Sequence, residues 1–160
     1  MKAYQVFAHM SQERMHELLE SLREGAPGVY MQALAAASAW LRARPQFVFK
    51  QPPDKRAKLV RQALARVSTS IVAEEVLAAS FLQVTKPLLI EWLDLVGVAH
   101  KDGGLESDAL PEPERSVLEQ ALASYRKPED AADRELLLEA FAAQSAIEWP
   151  VLEELIGAPR

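Results

Sequence analysis

Apolar residues return every three or four positions along almost the whole chain, and that spacing leaves room for little except helices. Alanine and leucine supply most of them, and both favour helix. Strand-like character is confined to AYQVFAH (3–9) and PQFVFK (45–50), each short and isolated. One edge hairpin is the most they would build. The first is expected as an extended arm, the second as a loop that drops its aromatic rings into the core. The fold class that follows is all-α: a compact bundle of roughly six to eight short helices, mostly antiparallel neighbours joined by short loops.

Boundary residues place the helices. Ser11 caps a helix that runs through QERMHELLESLRE to Gly25, with Met15, Leu18, Leu19 and Leu22 as its apolar stripe. A second follows Pro27 and ends near Arg44, ahead of Pro45. Its QALAAASAWL core carries small side chains, which let neighbours approach and suit a central position. A third opens at Pro53 or Asp54, with Val60, Leu64, Val67 and Ile71 on one face. IVAEEVLAASFLQV follows a cap at Ser68 or Thr69. PLLIEWLDLV begins with Pro87 in its first turn and is so apolar that it belongs deep in the core, with Glu91 and Asp94 at a wet edge. Three more helices are expected at 113–125, 128–146 and 149–157. QALA recurs at 32–35, 62–65 and 120–123, but the unequal offsets fit alanine-rich packing better than a repeat array.

A chain of 160 residues, 49% hydrophobic and 26% charged, suits one domain, which buries roughly 70% of its extended surface on folding. The expected division is an N-terminal arm (1–10), a helical core (11–146), and a short C-terminal helix and tail (147–160). The absence of cysteine excludes disulfides, thiolate catalysis and cysteine-ligated zinc. The start lacks the apolar run of a signal peptide, and Glu91 and Asp94 interrupt the apolar block near residue 90. No membrane association is expected, and the cytoplasm is the expected location.

Charge is divided unevenly. Residues 1–69 hold 11 Lys/Arg and 5 Asp/Glu, whereas residues 70–160 hold 7 and 18. Such a split steers a charged partner or holds the two halves against each other. The helix at 54–67 turns Lys55, Lys58, Arg61 and Arg66 outward, and Arg42 and Arg44 end the preceding helix nearby.

The stretch LVGVAHKDGGLESD (95–108) gathers His100, Asp102, Glu106 and Asp108. Its spacing misses a calcium loop, and zinc would need more histidine ligands than the chain brings near. Gly97 reads as a left-handed helix stop with Val98 folding back, and KDGG as a turn. Glu13 and His16 form half of a di-metal motif whose second half is missing, so a His16–Glu20 pair on a solvated face is expected instead. No nucleophile motif and no phosphate-cradling loop occur. Trp40 and Trp92 are expected in the core and Trp149 as a docking anchor.

These observations favour a non-catalytic interaction or regulatory module that uses Arg42, Arg44, Lys55, Lys58, Arg61 and Arg66 to hold an acidic protein partner. No catalytic residue, metal or cofactor is assigned. One alternative is an enzyme or small-ligand or metal-binding protein with a pocket beside the 97–106 turn, using His100 and Asp102. Another is a helical nucleic-acid-binding domain. A homo-oligomer is compatible with either.

Overall fold

The computed structural model describes residues 1–157, so Ala158 to Arg160 of the expected tail lie outside the described residues. Ten α-helices occur among them: α1 (Ala3–His9), α2 (Gln12–Gly25), α3 (Pro27–Trp40), α4 (Gln46–Phe49), α5 (Pro53–Leu64), α6 (Ser70–Ala79), α7 (Lys86–Val96), α8 (Arg115–Tyr125), α9 (Ala131–Ala142) and α10 (Pro150–Leu155). One antiparallel hairpin, β1 (His100–Lys101) and β2 (Gly104–Leu105), accompanies them. The molecule is therefore all-α, with more helices than expected because both strand-like stretches are helical.

The arm is α1. Its Ala3, Val6 and Phe7 are buried, and Met10 follows them inward. Those positions have the i, i+3, i+4, i+7 spacing of a helix face, which outweighs the β-favouring side chains. Gln5 accepts the Lys2 backbone N–H at 2.7 Å and closes the first turn. In α4 the burial is the reverse of the expected one. Val48 is fully buried, while Phe47 and Phe49 are 42% and 48% exposed. A single helical turn that points Val48 inward must put its neighbours on the flanks. The buried Ser38 hydroxyl fixes this turn, donating to the Pro45 carbonyl at 3.1 Å and accepting the Val48 N–H.

Helix α2 matches its expected start and stripe. Ser11 Oγ accepts the Arg14 N–H at 3.1 Å, and Met15, Leu18, Leu19 and Leu22 are buried. Helix α3 stops at Trp40, short of Arg44, because Arg42 takes a left-handed φ of 53°. Its Ala33, Leu34, Ala37 and Ser38 are buried among α2, α4, α5 and α6, so it is central. Tyr30 touches Arg56 and Trp40 touches Arg66, so α3 and α5 run in the same direction and residues 41–52 return the chain.

Helix α5 buries Ala57, Val60, Ala63 and Leu64, but the face does not continue to Val67 and Ile71. Arg66 is extended (φ −103°, ψ 144°), which resets the helical phase. Val67 and Ile71 are 68% and 75% exposed, and Ala73, Val76 and Leu77 carry the burial of α6 instead. Between α6 and α7 the helix widens into a π-turn over Ser80–Val84, where the Thr85 N–H reaches the Ser80 carbonyl at 2.9 Å. Pro87 lies just beyond, where a regular helix would clash with its ring. Residues 67–84 together have the length and mean hydropathy (1.3) of a membrane-crossing segment. Here Glu74 and Glu75 interrupt that run and are bonded to Ser145 and Gln32.

The core is one connected cluster reaching from Ala3 to Leu152. At its centre Trp92 meets the Tyr125 and Phe141 rings edge-on at 5.3 and 6.3 Å, and Phe141 meets Trp149 at 5.3 Å. Trp149 is buried and donates its indole N–H to the Leu110 carbonyl at 2.9 Å. It thus anchors α10 within the chain. Trp40, expected in the core, is only half-buried.

Candidate functional site

The amphipathic geometry of α5 defines the candidate surface. Its buried face fixes the opposite one, where Lys55 and Lys58 are exposed. Arg42, Arg44 and Arg66 are also exposed, the first two between α3 and α4 and the third just beyond α5. Arg66 lays its guanidinium over the Trp40 ring, 5.4 Å from the centroid, a cation–π contact that holds a cation and an aromatic together at the surface.

Arg61 departs from expectation. It lies at the margin of the buried face and donates to the Met10 carbonyl at 3.2 Å, with its Nε buried and without a hydrogen-bond partner. Arg61 therefore ties α5 to the end of α1. Arg56 plays the corresponding part on the other margin. It donates to the Tyr30 hydroxyl at 2.6 Å and to the Gln51 carbonyl at 3.0 Å, and lies 5.8 Å from the centre of the Phe49 ring.

Residues 42–66 hold eight Lys/Arg and a single carboxylate, Asp54. Among the described residues none of those eight forms an ion pair with a carboxylate. Asp54 instead faces His16, at 3.4 Å. This replaces the expected His16–Glu20 pair, because Glu20 is taken by Arg23 at 2.7 Å. In the acidic half the pattern is opposite. Lys86, Arg115, Arg126, Lys127 and Arg134 all pair with carboxylates. Five cations of the acidic half are thus paired, whereas those of 42–66 have no carboxylate partner among the described residues.

Sequence reasoning missed the aromatic part of this surface. Phe47 and Phe49 flank α4, which packs on both α3 and α5, and Lys50 is exposed beside them. The available signal was the alternation of rings and cations in RARPQFVFKQPPDKRAK, punctuated by three prolines. Phenylalanine is so commonly buried that this pattern reads first as core.

The 95–108 stretch is built as a turn. Gly97 is left-handed (φ 72°), and Val98 N–H bonds back to the Leu93 carbonyl at 3.0 Å. Asp102 and Gly103 both have positive φ, 52° and 83°, as a two-residue hairpin turn of this hand requires. His100 Nδ1 accepts the Gly103 N–H at 3.1 Å, so its Nε2–H donates to Asp94 at 2.7 Å. Asp102 pairs with Lys86. Both groups thereby pin the hairpin to α7. A cavity of about 170 Å³ does lie beside the turn, but Gly103 and Leu105 line it, together with Phe81, Leu82, Leu89 and Leu93. Its walls are apolar, and neither His100 nor Asp102 contributes to them. Glu106 and Asp108 are exposed, and no group of three His, Asp or Glu that would hold a metal occurs among the described residues.

Comparison with protein-family models, curated proteins and solved structures finds no match.

Proposed function

We propose that this protein is a non-catalytic interaction module that holds an acidic partner on the face formed by the end of α3, α4 and α5. The observation that carries this reading is the run of eight cations between Arg42 and Arg66 with no carboxylate ion pair among the described residues. Concentrated like charge costs folding stability through self-repulsion, and it attracts a partner of opposite sign. The acidic half carries 18 carboxylates, yet among the described residues none of them pairs with a cation of 42–66.

The test is retention on immobilised polyglutamate at physiological salt. The folded protein is expected to be retained and to elute as salt screens exposed charge. Lys55→Glu, Lys58→Glu and Arg66→Glu together should abolish retention without unfolding the chain, since all three side chains are exposed. Retention unchanged by these reversals would overturn the reading. Arg61 is left intact in this variant because its guanidinium supports the Met10 carbonyl.

A further inference from the structure

Two guanidiniums of residues 42–66 lie against aromatic rings. Phe47 and Phe49 project from opposite flanks of α4, Arg56 stacks on Phe49, and Arg66 on Trp40. A purely acidic ligand would satisfy the charges and leave both phenylalanine rings in water. We infer that the occupant is an acidic protein segment that also carries aromatic or large aliphatic side chains, its carboxylates meeting Lys55, Lys58 and Arg66 and its apolar groups covering Phe47 and Phe49. This deepens, and rests on, the reading of the basic face as a partner-binding surface.

Charge complementarity favours such a segment over nucleic acid. The whole chain carries −5 and residues 42–66 carry +7, so the remainder carries −12. A short acidic segment confined to this face meets a single carboxylate, Asp54, among the cations. A long polyanion would extend beyond them toward the acidic remainder. Single-strand binding also uses a basic groove in which rings succeed one another along the strand. The shallow groove here is lined by Gln12, Asp54, Lys55, Lys58, Leu59 and Gln62, contains the exposed Asp54 carboxylate and no aromatic ring. Guanidiniums already stacked on rings suit carboxylate pairing beside an apolar contact.

The experiment is fluorescence anisotropy at physiological salt with three labelled probes: a short Glu/Ser peptide, the same peptide with Phe and Leu replacing alternate serines, and a single-stranded oligothymidylate of equal charge. The Phe/Leu peptide is expected to bind about tenfold more tightly than the plain one. Phe47→Ala with Phe49→Ala should erase that gain and leave the weaker, charge-only binding. Phe47→Ser alone should erase part of it. Among the described residues Phe47 makes no ring–ring or cation–ring contact, and a melting curve checks that each variant is folded. Equal affinity for the two peptides, or a gain that survives both variants, overturns the inference while the acidic-partner reading stands. Tighter binding of the oligothymidylate also overturns it and assigns the face to nucleic acid. Failure of every probe to bind removes the acidic-partner reading together with it.

Discussion

Arg134 is 6% exposed, and its guanidinium lies in a site that gives nearly every donor a partner. It pairs with Glu91 at 2.9 Å, donates to the Tyr125 and Glu129 carbonyls, and lies 4.9 Å from the centre of the Tyr125 ring. The Glu91 carboxyl is held below its ordinary value near 4.5, chiefly by the Arg134 hydrogen bond and then by Lys127, while burial opposes the shift. Burial pushes the Tyr125 hydroxyl upward. Removing Arg134 leaves the Glu91 carboxylate with Lys127 alone and takes the donor from two carbonyls. Arg134→Met is expected to cost about 3 kcal/mol in urea unfolding. Because the folded value of Glu91 is depressed, its contribution is complete above the unfolded value and is lost as pH falls through the folded one. Glu91→Gln should therefore be less stable than the parent at neutral pH, with the gap closing as the solution is acidified below about pH 4. A gap that is constant with pH would show that the pair contributes nothing through charge. None of this was legible in the sequence. Glu91 and Arg134 are 43 positions apart, and the spacing of α7 marked Glu91 only as a wet edge.

Legibility at the scale of elements followed the strength of local signals. Ser11 capping α2, the proline at the start of α5, and Gly97 closing α7 are all local geometry, and each lies where the residue types require. The failures occurred where phase changed without a strong marker. Val67 and Ile71 continue the Val60–Leu64 spacing on paper; the serines and threonine of RVSTS marked a new helix start at Ser68 or Thr69, but the break begins at Arg66, which is extended, and neither side chain caps α6. The site was legible in its exposed cations Arg42, Arg44, Lys55, Lys58 and Arg66. It was obscured in Arg61, whose tie to the Met10 carbonyl depends on where α1 packs, and in Phe47 and Phe49, whose exposure depends on Val48 taking the inward position. The exposed phase of α6 makes a direct prediction. Ile71→Lys is expected to change unfolding free energy by no more than about 0.5 kcal/mol, as for an ordinary surface position. A loss of about 2 kcal/mol or more in denaturant titration would mean that this face is covered. Val76→Lys, one turn further on in a fully buried position, is the contrasting variant and should abolish cooperative unfolding.

Across the whole molecule, the distribution of charge separates what holds the fold from what the fold presents. One apolar cluster joins α1 to α10, and the cations near it are put to structural use: Arg134 against Glu91, Arg56 against Tyr30 and Arg61 against Met10. Lys55 and Lys58 have no such use. Lys55 occupies the first turn of α5, where the positive end of the helix dipole disfavours a cation. Lys58 follows three residues later, so the two ammonium groups share a face and repel. Among the described residues neither forms an ion pair with a carboxylate. A surface of this kind trades stability for binding, and removing its charge should reverse the trade. Lys55→Gln with Lys58→Gln is expected to raise unfolding free energy by about 0.5 kcal/mol at low ionic strength, the sum of one relieved like-charge pair and one relieved dipole clash. The gain should fade at about 1 M salt, where the screening length falls to about 3 Å. The same variant should lose most of its retention on polyglutamate. Stability and retention moving in opposite directions is the signature of cations kept for a partner. A variant that is less stable at low salt would show instead that these lysines support the helix, and the basic face would lose its claim to be the binding surface.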